Sequence, residues 1–285
     1  MTPISRRAAM ALLAAITTAA PVPAALAQVH ATGEASVPGG VTFADVASLA
    51  DSAPMVVRAR VRKLARVEPE RTSSTRPGMA RYYVQAETRA LLAGTTPLGQ
   101  SFAYLVDLPV NSRGKPVLRK KDEVILFARP VPNRPAELQL VHPTAQLPWS
   151  EASEARLRPL LQAIHALDAP ARVTGVREII HVPGTLAGEG ETQIFLNTQD
   201  RSAASITVRH RPGAAPEWGV SFSELVAEVG RPPAPGTLEW YRLACFLPTT
   251  LSPEANMSDG IDARRMAEAD YGMVMAALGP CRRTL

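Results

Sequence analysis

Two periodicities divide this chain. From Met55 to Val67, Val57, Ala59 and Val61 alternate with Arg58, Arg60 and Arg62, the period-two pattern of a half-buried strand. Ala80–Leu92 repeats it, with Tyr82, Val84, Ala86 and Thr88 set against Arg81, Tyr83, Gln85, Glu87 and Arg89. Phe102–Leu108, Glu123–Ala128 and Glu137–His142 complete five strands, separated by loops rich in Pro, Gly, Ser and Arg. Five such strands, the first two long and the turns polar, predict a small closed or partly open barrel of OB-like shape, with a sandwich as the other way to use the same elements. A short helix precedes them, with Phe43, Val46, Leu49 and Ala50 on one face behind a Thr42 cap.

At Trp149 the period lengthens to that of a helix. Leu157, Leu160, Leu161 and Ile164 share one apolar face, Ser150 or Ser153 supplies the cap, Pro159 lies within, and Asp168-Ala169-Pro170 ends the segment. Strands return at Gly175–His181, Glu191–Asn197, Ser205–Arg211 and Glu217–Ser221, and Ser223–Val229 reads as a helix ending at Gly230. Leu238–Leu247 fits strand and helix equally. Asp262–Leu278 reads as a helix with Met266, Ala269, Met273 and Ala277 on its apolar face and a stop at Gly279-Pro280. The expected fold class is α+β: a five-stranded OB-like β-barrel domain over residues 42–148, a connecting helix over 149–170, and a second mainly β domain with a C-terminal helix over 171–285.

The first 27 residues have a different character. Arg6 and Arg7 precede an apolar run from Ala8 to Ala20, and Ala25-Leu26-Ala27 forms a small-x-small cleavage site, the make-up of a secretory signal. Residues 28–41 then read as a flexible lead-in. The expected location is therefore the periplasm or beyond, and no later run is long enough to span a bilayer. In such an oxidising compartment the two cysteines, Cys245 and Cys281, are expected to pair as a structural disulfide.

Export changes the charge. The whole chain carries 31 basic and 26 acidic residues; losing Arg6 and Arg7 leaves 29 against 26, a net charge of +3. That weak balance argues against a nucleic-acid partner. So does the scarcity of aromatics among the strand cations, since of Tyr82, Tyr83, Phe102 and Tyr104 two fall on the expected core side.

No zinc-protease, phosphate-loop or metal-ligand spacing is present, so no metal or cofactor is expected. Gly219-Val220-Ser221-Phe222-Ser223 is similar to a nucleophile elbow lacking its second glycine; the plainer role for Ser221 or Ser223 is to cap the helix that follows. Glu189 and Glu191, two residues apart in a Gly-rich turn, are either an acid–base pair or a solvated hairpin tip. No catalytic residue is assigned.

The cations of the first domain are the leading binding candidates. Arg58, Arg60 and Arg62 project from one strand face, and the connection between the third and fourth strands holds Arg113, Lys115, Arg119, Lys120 and Lys121. Brought together, they would form a face for phosphate or carboxylate groups. The plainer alternative is a solvated strand face and a charged loop, partly neutralised by Glu87, Asp122 and Glu123.

Ala53-Pro54-Met55-Val56-Val57-Arg58-Ala59-Arg60-Val61, followed two strands later by Lys121-Asp122-Glu123-Val124-Ile125-Leu126-Phe127, resembles the paired strand motifs of small exported bacterial β-barrel domains. Gly188–Leu196 and Trp240–Pro248 are similar to segments of uncharacterised exported bacterial proteins of about this length. In the first motif Lys121 stands where a turn glycine is usual. The resemblance implies an N-terminal OB-like barrel and no established activity. The expectation is a non-catalytic binding or structural module for an anionic envelope partner, with a periplasmic hydrolase using Ser221 or the Glu189/Glu191 turn as the alternative.

Overall fold

The computed structural model describes residues 40–68, 75–223 and 230–285. The expected export signal, most of the expected lead-in, residues 69–74, and the expected Ser223–Val229 helix beyond its first residue lie outside the described residues.

Strand β1 (Met55–Arg66) pairs antiparallel with two partners, β2 (Met79–Ala93) and β4 (Glu123–Val131). Register shifts at Val56/Val57, Arg58/Ala59 and Val61/Lys63 interrupt its ladder with β2. Such bulges bend a strand and let it turn a barrel corner. β2 pairs with β3 (Ser101–Pro109), β3 runs parallel to β5 (Arg134–Leu140) at Ala103 and Tyr104, and β5 returns to β4. The order β1-β2-β3-β5-β4-β1 closes a mixed five-stranded barrel consistent with an OB-like fold. A three-residue strand, β6 (Gln146–Pro148), extends the side of β4 opposite β1, since Leu126 faces Val57 across one edge and Gln146 across the other.

Alternation placed the barrel core correctly: Val57, Ala59, Val61, Tyr82, Val84, Ala86 and Tyr104 are buried. β4 breaks the alternation, with every residue from Val124 to Ala128 buried, because helix α1 (Phe43–Ser52) covers its outer face. α1 begins with a capping box between Thr42 and Asp45. The buried Asp45 carboxylate also accepts the Thr284 amide at 3.0–3.1 Å and its hydroxyl at 2.7 Å, while the Thr42 hydroxyl donates to the Arg282 carbonyl at 2.8 Å.

Helix α2 (Glu151–Ile164) is capped by Ser150, reciprocally with Ser153, and runs through Pro159. The ring deprives only the Ala155 carbonyl of its donor, and Ala155 is exposed to water. Four antiparallel strands follow, β7 (Val173–Pro183), β8 (Gly190–Thr198), β9 (Ser205–His210) and β10 (Glu217–Ser221), in the order β10-β9-β8-β7. The ambiguous aromatic segment is helical: α3 (Leu238–Ala244) starts at Thr237, whose hydroxyl accepts the Trp240 amide. The last helix, α4 (Gly260–Leu278), packs on β7 and β8.

The expected apolar face of α4 is corrected by the structure. Met266, Ala269 and Ala277 are exposed, and the helix buries Ala267, Asp270, Tyr271, Val274 and Leu278 instead. Asp270's partners on the sheet, Thr192 and His210, draw it inward and rotate the helix by about one residue from the expected face.

Cys245, at the end of α3, is disulfide-bonded to Cys281, just past α4. Beside it the Trp240 indole N–H donates to the Leu278 carbonyl at 2.8 Å. A second junction centres on Asp51 in the last turn of α1. Its carboxylate receives both terminal nitrogens of Arg242 at 2.8 Å and the Arg172 Nε at 2.6 Å, and Arg242 also donates to the Pro170 carbonyl. Arg242 and the Asp51 side chain are both buried. One hydrophobic core runs without a break from barrel to sheet, and this ion cluster ties α1, α3 and the approach to β7 around it.

Lys121 adopts φ +78°, the left-handed region that costs an L-residue about 1–2 kcal/mol. Its amide donates to the Val61 carbonyl at 2.8 Å, and the Val61 amide donates to the Asp122 carbonyl at 2.9 Å, so the turn is held in that shape by β1. Lys121→Gly is expected to raise unfolding stability by about 1 kcal/mol. Urea denaturation measures it, and a loss of stability would contradict the backbone assignment.

Candidate functional site

The strand cations do not act alike. Arg58 is occupied within the fold: its guanidinium lies 3.6 Å from the centre of the Trp149 ring, pairs with Glu123 at 2.7 Å and reaches Glu154 at 3.5 Å. Burial pushes the Glu154 carboxyl up, but hydrogen bonds from Trp149 and Arg158 and the charges of Arg158 and Arg58 hold it below its ordinary range. Arg58 therefore fastens β1 to the start of α2. Arg62 is exposed and meets Glu87 at 3.3 Å, a contact weak in water. Arg60 lies between them, opposite Glu87 on β2 and Glu123 on β4, and its buried Nε has no hydrogen-bond partner. An unsatisfied buried donor costs about 1–3 kcal/mol until something accepts from it.

The loop joining β3 to β4 lies against this strand. The hydrogen-bond pair between Val61 and Lys121/Asp122 joins its end to β1 between Arg60 and Arg62. Further along, Gly114 lies against the Arg66 guanidinium, 3.4 Å from where a Cβ on Gly114 would sit. Arg119, Lys120 and Lys121 are all exposed. Asp122 accepts the Arg119 amide at 2.7 Å, which shapes the turn. Sequence reasoning missed Lys63 and Arg66, which extend the same strand beside the loop; the +2 spacing from Arg62 and Arg60 hid them, because the bulge at Val61/Lys63 shifts the alternation.

No protein-family model matches this chain, and no curated protein sequence matches it. The chemistry must be argued from its own residues.

The alternative catalytic candidates lie on the second sheet. The Ser221 hydroxyl ends β10 and lies 3.1 Å from the Ser223 hydroxyl. Gly219 has Gly230 against it, where a Cβ would overlap the Gly230 carbonyl, so this glycine serves a chain crossing. Glu189 accepts the Leu186 amide at 3.2 Å and steadies the turn before β8, and Glu191 pairs with Arg209 across the β8–β9 ladder at 3.0 Å.

The sheet also assembles a polar array that no sequence motif announces. His210 donates from Nε2 to Asp270 at 2.8 Å, and the Thr192 hydroxyl donates to the same carboxylate. His181 Nδ1 donates to the Thr192 oxygen at 2.8 Å, and its backbone amide donates to the Ser258 hydroxyl at 2.9 Å. These residues are separated by 11 to 78 positions, so no local spacing reveals them. His210 lines a cleft of about 690 Å³ together with Glu189, Glu191 and Arg211.

Burial pushes His181 below its ordinary value; Asp270 opposes this and the neighbouring His210 adds to it. The neutral ring belongs to the folded state, so its contribution is complete above about pH 6.5 and is lost as the unfolded chain takes up a proton below that. Stability measured by denaturant from pH 8 to pH 5 is expected to fall through this window; a flat profile would contradict the array.

Proposed function

We propose that this is an exported envelope protein that binds an anionic partner without catalysis. The face is formed by Arg60, Arg62, Arg119, Lys120 and Lys121, with Lys63 and Arg66 beside them. The observation that carries the reading is the pair of backbone hydrogen bonds at Val61, which lays a basic turn onto a basic strand. Export is supported by the pattern of residues 1–27 and by the disulfide, which suits an oxidising compartment. Among the described residues no helix is long and apolar enough to cross a membrane. Arg58 is left to its structural duty.

The test is capture from envelope extract by the chain from Gln28 onward, which contains the whole described fold, beside an Arg62→Ser/Lys120→Ser variant. Both substituted side chains are exposed, so folding is unaffected. A partner held by the parent protein, lost from the variant and released by moderate salt is the expected result. Equal capture by both, indifferent to salt, would remove the basic face from consideration.

A second reading, hydrolysis on the second sheet, is favoured by one observation: the His210–Asp270 pair borders the cleft that holds Glu189 and Glu191. Any hydrolytic activity found should fall at least tenfold in His210→Ala and survive Ser221→Ala. An activity that instead depends on Ser221 would return attention to the imperfect elbow.

A further inference from the structure

The loop that carries the cations has a second side. A groove of about 700 Å³ lies beside this loop, with Val41, Met79, Leu108, Leu118, Leu147 and Trp149 among its walls. Val117 and Leu285 also line it and are 64% and 43% exposed. The acidic side chains in its wall are already engaged: Asp107 by Arg81 at 2.7 Å, Glu123 by Arg58, and Asp122 by the Arg119 amide. Arg76 also lines it.

The chain leaves the groove wall at Leu118, makes the turn Arg119-Lys120-Lys121, and re-enters the wall at Asp122. The basic turn is therefore bracketed in sequence by groove residues, and all three of its cations are exposed. A mainly apolar trough of ligand size beside a cluster of exposed cations is complementary to an anionic head carrying a hydrocarbon tail. An acidic polysaccharide would leave the apolar trough unused, and an apolar ligand alone would leave the cations unused.

We infer that the anionic partner is a lipid, its phosphate held by Arg119, Lys120 and Lys121 and its acyl chain laid in the groove between Val117 and Leu285. This rests on the reading of the basic face given above and goes beyond it by naming the ligand class and the tail site.

The experiment is co-sedimentation of the chain from Gln28 onward with vesicles of phosphatidylglycerol or of phosphatidylcholine, with inorganic phosphate as a soluble competitor. Three proteins are compared: the parent, Lys120→Glu, and the uncharged double change Val117→Ser/Leu285→Ser. Both apolar side chains are exposed, and circular dichroism checks that all three fold alike. The parent is expected to bind phosphatidylglycerol at least tenfold more tightly than phosphatidylcholine. Both variants should lose at least fivefold, and millimolar phosphate should compete only weakly because it lacks the tail. If Lys120→Glu loses binding while the apolar variant keeps it, or if phosphate competes fully, the tail site is overturned and the basic face stands. If phosphatidylglycerol is not bound at all, the lipid assignment falls, and the envelope capture above decides the face separately.

Discussion

Replacing Asp51 by alanine is expected to cost about 3–5 kcal/mol of folding stability, the range for removing one partner from a buried ion pair. The carboxylate meets Arg242 through two parallel hydrogen bonds in a site where both side chains are nearly sealed from water. Truncation leaves the Arg242 charge buried with the Pro170 carbonyl and the Tyr241 ring to answer it. Arg172, more than a third exposed, can turn to solvent, so Arg172→Ala should cost no more than about 1 kcal/mol. Burial pushes the Asp51 carboxyl up, yet the hydrogen bonds and charges of Arg242, then of Arg172, hold it below its ordinary range. The contribution is therefore present above about pH 4 and lost as pH falls further, through the folded value. Denaturant titrations of the two variants at pH 7 and of the parent at acid pH measure all three effects. An Asp51→Ala protein within 1 kcal/mol of the parent would mean that the cluster is not the junction it is taken for.

Removing the disulfide should have an effect of similar size by a different route. Cys245 and Cys281 close a loop across 36 positions, which on the chain-entropy model stabilises the fold by about 4 kcal/mol, acting through the unfolded chain. Cys245→Ala/Cys281→Ala is therefore expected to lower the denaturation midpoint strongly while leaving the folded structure in place, since the Trp240–Leu278 hydrogen bond and the packing of α3 against α4 do not depend on sulfur. A reducing agent should destabilise the parent to the same degree and leave the double variant unchanged. Equal stability of parent and variant under oxidising conditions would contradict the entropic account.

The barrel was legible in the sequence because β1 from Val57 onward and β2 each have a wetter face and a dry face, and alternation reports that directly. Val57, Ala59 and Val61 against Arg58, Arg60 and Arg62 settled both the strand and its orientation. Closure was less legible, since no local signal says that β1 pairs with β4 as well as β2. β6, three residues long, is shorter than any periodicity can register. α4 was found but its face was misjudged, because the polar residue that anchors it, Asp270, is buried against partners on β8 and β9. Arg58 was grouped with its neighbours on the strand, and only the approach of Trp149 and Glu154 from the start of α2 separates it from them. The groove was invisible for the same reason as the histidine array: its walls come from segments as far apart as Val41 and Leu285.

The Asp45 carboxylate has one further consequence, for the way this fold opens. It caps the first turn of α1 and at the same time holds Thr284, while Thr42 holds Arg282. Two stretches separated by about 240 positions thus share one set of donors and acceptors, so neither can peel away without exposing the other. Amide protons around Val46 and Thr284 should exchange with solvent at a common rate, as one cooperative unit. Local fraying, the usual fate of peripheral chain, is here converted into a concerted event, with its threshold set by a single buried side chain.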